Sequence, residues 1–432
     1  MKPILNWLRR NYLLVLFIVL LPVARNRVEP NLRGVIWSDA EGYFVYLPAV
    51  FCLGDVHAVP PGSMNARTNE KGETVMKYTC GVAYFQLPFF LVAKVYSDTH
   101  GYPGTDIYNT NYSRAIAFAG YCAAFLGLFF LQKALRRRGM SPPATALTLL
   151  IIFGGTNLFH YATKEMGMSH VYSFCLFAVL MWLLPRFYER PNWKNAILLG
   201  IITGWITLIR PTNIVGLLVV LLYDIYSLND LKGRVKFWTK HYTAAIFALL
   251  SAFLVFFPQL LYWKTMTGQW VKYSYEGEGF PFWDKPKIAA VLVDPQNGLF
   301  LYSPLVLLSL AGIVTTWREK RFHGPVLSVI FIVSTYIFAS WWAWWFGGAF
   351  GARSYVELYA LLAFPTAGIV AQLLGVKNRI LKFAGIGIIL FFIYYGVQMS
   401  FLYQKLPGPW DGADWRWNME KMYWIWKHLF KW

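Results

Sequence analysis

The sequence predicts an all-α polytopic membrane protein of about 11 transmembrane helices, with interfacial helices in a long first external loop. Three observations predict it. The chain is 57% hydrophobic and only 14% charged, whereas a soluble domain carries about 25% charged residues. The apolar residues fall in uninterrupted blocks of membrane-spanning length. Basic clusters then occupy every second connection between blocks, as the positive-inside rule requires of cytoplasmic loops.

The blocks are 11–24, 114–133, 143–160, 169–185, 195–209, 212–228, 243–263, 299–317, 324–342, 355–376 and 380–401. The first has the size of a signal-peptide core. Its end runs straight from Ala24 into Arg25 and Arg27 without a small-residue cleavage site, so it reads as a retained span. Lys2, Arg9 and Arg10 precede it, and Arg136, Arg137 and Arg138 follow the second span. Arg186, Arg190 and Lys194 separate the fourth and fifth; Lys232, Arg234, Lys236 and Lys240 separate the sixth and seventh. Arg318, Lys320 and Arg321 follow the eighth, and Lys377, Arg379 and Lys382 the tenth. This alternation puts the N-terminus in the cytoplasm and, with an odd count, the C-terminus outside. The basic residues of the tail (Lys405, Arg416, Lys421, Lys427, Lys431) run against that end of the assignment.

The net charge of +19 would fit a nucleic-acid partner. Its distribution in short clusters between apolar blocks instead fits orientation in a membrane, so no nucleic acid is expected. Residues 1–432 read as one transmembrane domain. Within it, 25–112 forms the first external loop and 402–432 an external tail. In that loop Gly42 to Leu53 and Val82 to Tyr96 are too short or too interrupted to span easily, and each carries a proline. They are expected to lie in the interface with aromatic faces toward lipid. Cys52 and Cys80 share the loop, where a disulfide is conceivable in an oxidising compartment. Cys122 and Cys175 read as small buried apolar groups.

The unusual residues gather on the external connections. Trp37-Ser38-Asp39-Ala40-Glu41-Gly42-Tyr43 puts two carboxylates and a tyrosine just beyond the first span. Ser38 or Asp39 could cap a helix, with Glu41 in its first turn; the acids could equally do proton chemistry. Lys77, before the second interfacial helix, could snorkel to headgroups or hold a phosphate as a point charge. Arg210 precedes Pro211 between two short apolar blocks. An arginine there costs about 2.5–3.5 kcal/mol on insertion scales, so it needs a partner or a function.

His170, near Glu165 and Ser169, could shuttle a proton or simply be a satisfied interfacial histidine. Glu276 and Glu278 in YSYEGEGF add external carboxylates among aromatics and glycines. In the stretch from Trp341 to Arg353, Trp345 and its neighbours form an aromatic belt on the plain reading. Beside Arg353, the same rings could hold a sugar next to a phosphate.

Together these pieces resemble the GT-C glycosyltransferase superfamily, in the branch of protein O-mannosyltransferases and aminoarabinose lipid A transferases. The resemblance rests on SDAEGYFVYLPA, KYTCGVAYFQLPFF and WWFGGAFGARS. It implies a GT-C-like fold. It also implies an inverting transfer of a hexose or pentose from a polyprenyl-phosphate-linked donor to a protein or glycolipid acceptor, on the periplasmic side of a bacterial inner membrane. Asp39 and Glu41 are then the catalytic acids, and Lys77, Arg210 and Arg353 bind the donor phosphate. Tyr43, His170, Glu276, Glu278 and Trp345 line the substrate site. Membrane lipids complete the partners. No cofactor is required, although carboxylates could hold a divalent metal.

The sequence departs from the mannosyltransferases, whose Asp and Glu are adjacent, because Ala40 separates the two acids here. It shows neither a WWDYG-like signature nor the long polar block of a separate soluble domain. The competing reading is a lipid or polysaccharide transporter or flippase, which would place charges near the midplane in repeated halves. Here the charges lie toward one face and no repeat is visible.

Overall fold

The computed structural model describes residues 11–58, 63–68, 72, 74–102, 106–404 and 419–431, and helices dominate it. The first span is α1 (Tyr12–Val28), followed by a 3-10 segment, Glu29–Ile36. Two short helices come next, α2 (Asp39–Phe44) and α3 (Tyr46–Phe51). A small antiparallel hairpin, β1 (Ala66–Thr68) with β2 (Thr74–Met76), pairs Arg67 with Val75. Then follow α4 (Gly81–Thr99), α5 (Thr110–Arg137), α6 (Pro142–Gly154), α7 (Leu158–Thr163), α8 (Ser169–Glu189) and α9 (Trp193–Ile209). A 3-10 segment, Pro211–Leu217, leads to α10 (Leu218–Leu221), α11 (Leu228–Lys240) and α12 (Tyr242–Thr267). The remaining elements are α13 (Ile288–Val293), α14 (Leu299–Tyr302), α15 (Val306–Arg318) and α16 (Gly324–Ser340), then a 3-10 turn at Arg353–Leu358. The chain closes with α17 (Tyr359–Gly375), α18 (Arg379–Tyr403) and α19 (Met419–His428).

Polar caps set several helix starts. The side chains of Ser141, Asn192 and Asn378 accept from backbone N–H groups at the starts of α6, α9 and α18, satisfying donors that a membrane could not. Glycines set the helix spacing. A Cβ on Gly200 would sit 2.0 Å from the Ala248 carbonyl oxygen, and one on Gly204 2.8 Å from Ala252 Cα. Gly200 and Gly204 therefore form a GxxxG seam on α9 that admits the backbone of α12. Helices α8 and α17 are mostly buried, whereas few residues of α12 and α18 are, as in lipid-facing helices.

All eleven predicted blocks contain helix, but several are interrupted. Block 143–160 breaks between α6 and α7, and block 299–317 breaks at Ser303 and Pro304. Block 212–228 holds only a 3-10 segment and one turn of α-helix. Among the described residues, five helices are long and apolar enough to cross a membrane, and another five apolar helical segments have 10–17 residues. The chain is an integral membrane protein. Two connections assigned to one face do meet: Arg138 and His323 lie 2.6 and 3.0 Å from Asp224, near the end of block 212–228.

Two expectations for the first loop are corrected. Gly42 to Leu53 is a pair of helices beginning earlier, at Asp39, and of its aromatic residues only Phe51 is exposed. Tyr43, Phe44 and Tyr46 are buried, because Phe44 packs its ring on Phe90 of α4 and Tyr112 of α5. The second stretch lies within α4 and does present Val92 and Val95 outward. The tail is also not simply extended: α19 packs on α18, with the Trp426 indole donating to the Tyr395 hydroxyl at 3.1 Å. Lys2, Arg9, Arg10, Lys405 and Arg416 fall outside the described residues. Cys52 and Cys80 are free thiols.

Candidate functional site

The site is built from four segments, each tied down by local chemistry. Ser38 adopts φ 55 and ψ −130 and makes no side-chain cap bond, so the capping reading of this motif does not hold. The Asn65 amide donates to the Ser38 carbonyl and to Glu41 Oε2, both at 2.7 Å. Gly42 is needed here because a Cβ would lie 2.4 Å from the Tyr78 ring. These contacts clamp the start of α2 and aim Asp39 into a cavity of about 1940 Å³.

The KYTCG motif is fastened to the end of α9. The Thr79 hydroxyl donates to the Leu208 carbonyl, and the Trp205 indole donates to the Gly81 carbonyl at 2.7 Å. Gly81 itself abuts the backbone of Ile209. Lys77 and Arg210 are thereby brought to the same cavity.

The segment from Trp341 to Arg353 is held by its carbonyls. Asn297 donates to Trp345 O and Gly347 O, Tyr403 to Gly348 O and Ala349 O, and Asn157 to Phe350 O. The loop is thus a built wall, and Arg353 extends from it.

Three cations of the site each hold an acid. Arg353 donates to Asp39 Oδ2 at 2.7 Å, Lys77 to Glu278 Oε1 at 2.5 Å, and Arg210 to Glu357 Oε1 at 2.6 Å. His170 Nδ1 lies 3.0 Å from the same Glu357 oxygen. Burial works against ionisation of Asp39, but Arg353, the Tyr78 hydroxyl and Lys77 outweigh it and hold the carboxyl below its usual range. The side chains of Asp39 and Arg353 are 23% and 16% exposed, open enough to meet a ligand. Across the cavity, Glu165 Oε1 lies 3.3 Å from His160 Nε2.

Of the predicted residues, Asp39, Tyr43, Lys77, His170, Arg210, Glu278, Trp345 and Arg353 line this cavity. Glu41 does not. It is buried, accepting from Asn65 and from the Tyr108 hydroxyl at 3.0 Å, where it braces α2. Glu276 is also off the lining and pairs with Lys272 at 2.7 Å. Reading the sequence missed Glu357; its signal was a lone acid inside an apolar block. Among the described residues no three His, Cys, Asp or Glu side chains are grouped to hold a metal ion.

No family model and no curated protein sequence matches the chain. Among solved structures, the chain resembles the archaeal oligosaccharyltransferase AglB from Archaeoglobus fulgidus, in complex with an inhibitory peptide and a dolichol-phosphate. The match has a TM-score of 0.54 at 11% identity, over 93% of this chain and 57% of that one. It also resembles the Archaeoglobus fulgidus oligosaccharyltransferase tethered to an acceptor peptide, with a TM-score of 0.53 at 11% identity, over 92% and 55%. The chain spans little more than half the length of these neighbours. The likeness is one of fold, and it agrees with the GT-C-like fold that the sequence resemblance implied.

Proposed function

We propose that the chain is an inverting glycosyltransferase that moves a hexose or pentose from a polyprenyl-phosphate-linked donor to an acceptor outside the cytoplasm. The observation that carries this reading is the convergence of Asp39, Lys77, Arg210 and Arg353, from three connections, on one cavity. The likeness to structures in complex with a dolichol-phosphate and with peptides supports a lipid-linked donor and a protein acceptor. A glycolipid acceptor is equally compatible with the side chains.

In the proposed step the acceptor oxygen attacks the anomeric carbon from the face opposite the phosphate. The carbon–oxygen bond to phosphate breaks and its electron pair leaves on the polyprenyl phosphate. The acceptor proton passes to Asp39. Such displacements run through a sugar with oxocarbenium character, so the acceptor hydroxyl becomes acidic as it attacks and a carboxylate of low pKa suffices. Lys77 and Arg210 stabilise the departing charge, and Arg353 keeps Asp39 ionised. The step draws on side chains alone. The charge alternation supports a cavity on the non-cytoplasmic side, and the family resemblance supports the periplasm of a bacterial inner membrane.

The test is sugar transfer by the purified protein in nanodiscs, with labelled polyprenyl-phosphate hexoses and pentoses and extracted envelope acceptors. We expect a glycosidic product of inverted anomeric configuration. No transfer and no donor hydrolysis across the donor panel would overturn the reading. Mass spectrometry of envelope glycans with and without the gene identifies sugar and acceptor.

A further inference from the structure

The cations lining the cavity are not equivalent. Lys77, Arg210, Arg353 and Lys272 each hold a carboxylate at 2.5–2.7 Å. Lys164 lines the same cavity, yet its ammonium donates to a backbone carbonyl, that of Arg27, at 2.8 Å. Arg27 itself is 6% exposed and donates only to neutral groups. These are Thr163 Oγ1 at 2.5 Å, the Ser400 carbonyl and hydroxyl at 2.9 and 2.8 Å, and Gln404 Oε1 at 3.2 Å. Among the described residues no carboxylate forms an ion pair with either cation. Glu165, next in sequence, is turned to His160.

Two cations against one carboxylate leave this corner with surplus positive charge in a half-buried place. An uncompensated charge there is costly. Burial, followed by the neighbouring Arg27 charge, pulls the Lys164 ammonium below its ordinary range, a penalty that an arriving anion reverses. The corner stands beside the reacting groups, because Gly167, three residues on, packs against the Val35 carbonyl and the Ala40 side chain. It is also bracketed by lipid-facing helices: Ile18 and Val19 of α1 and Leu390 and Phe391 of α18 are exposed.

We infer that Lys164, over the buried Arg27, forms a second anion subsite that takes the phosphate of a lipid acceptor while Lys77 and Arg210 hold the donor. The word acceptor rests on the glycosyltransferase reading; the anion subsite does not. An acceptor carrying phosphate near its nucleophilic hydroxyl would be anchored here, with that hydroxyl presented toward Asp39.

Native mass spectrometry of the full chain tests this, with polyprenyl phosphate as donor-site probe and dioleoylphosphatidic acid as lipid-phosphate probe. We expect one phosphatidic acid retained beside saturating polyprenyl phosphate. Lys164→Gln, which keeps a donor for the Arg27 carbonyl, should weaken its retention by ~10-fold, and Lys164→Arg should restore it. Polyprenyl phosphate affinity should not change in either variant. Competition between the two lipids for one site, or undiminished retention in Lys164→Gln, would overturn the proposal. Occupation by inorganic phosphate in preference to phosphatidic acid would overturn the lipid assignment. Failure of polyprenyl phosphate to bind at all strikes the donor reading instead, and leaves the Lys164 comparison to be judged on phosphatidic acid alone.

Discussion

The Asp39 carboxylate and the Arg353 guanidinium, 314 positions apart in the chain, meet at 2.7 Å on the wall of the cavity. The contact joins the segment after α1 to the segment before α17 and holds the acid in its charged form. Burial alone would favour the neutral form, yet the neighbouring cations and the Tyr78 hydroxyl prevail. What results is a permanently ionised and weakly basic carboxylate.

Replacing Asp39 by Asn should lower sugar transfer by ~10²–10⁴-fold, the usual contribution of a positioned base. Polyprenyl phosphate should still bind. Arg353 also loses its acid, so a thermal melt should accompany the rate measurement. Transfer at the parent rate would remove Asp39 from the chemistry.

The pH profile carries a second test. Because the Asp39 pKa is lowered from its ordinary 3.8, the base stays ionised through neutrality. Activity is lost only as pH falls through the depressed value. Arg353→Gln removes the largest opposing influence on burial, so the acid limb of the rate profile should move to higher pH. An unmoved limb would show that other groups set the charge of Asp39.

Glu278 holds Lys77 at 2.5 Å, with Arg67 at 4.0 Å and the Trp342 indole at 3.2 Å from the same carboxyl group. A donor phosphate would have to displace it. Glu278→Gln should therefore tighten polyprenyl phosphate binding by ~3–10-fold in a titration. Unchanged or weaker affinity would mean that the phosphate does not meet Lys77.

The helix seam makes a stability prediction independent of function. Gly200→Ala would drive a methyl into the Ala248 carbonyl and Ser251 Oγ, at 2.0 and 2.1 Å, and should cost about 1–3 kcal/mol. Gly233→Ala on the exposed α11 meets nothing within 4 Å and should gain about 0.5–1 kcal/mol from helix propensity. Thermal unfolding of both variants in one detergent compares them.

Much of this was legible in the sequence, for one physical reason: a charge beside a membrane is conspicuous. Asp39, Lys77, Arg210 and Arg353 stood out against apolar surroundings, and each lines the cavity. Their partners were hidden by chain separation, with 201 positions between Lys77 and Glu278 and 147 between Arg210 and Glu357. Glu41 looked like a second catalytic acid because it is close in sequence. Two residues along a helix, however, amount to about 200° of rotation, which turns it to Asn65 and Tyr108 instead. Pro211 marked the break at Arg210, but the one at 155–157 was masked for a different reason. Hydropathy records transfer to lipid, not helical continuity, and a buried break leaves no mark in it.

The pairing of Lys77 and Arg210 with Glu278 and Glu357 has a consequence for turnover in the proposed reaction. It makes the donor side an ion exchanger. An incoming phosphate replaces one resident anion with another, so its binding free energy is the difference between two ion pairs rather than the whole of one. When the sugar has left, the resident acids can reclaim their cations and help expel the spent lipid into the bilayer. A cavity of bare arginines and lysines would grip its product far more tightly and release it slowly.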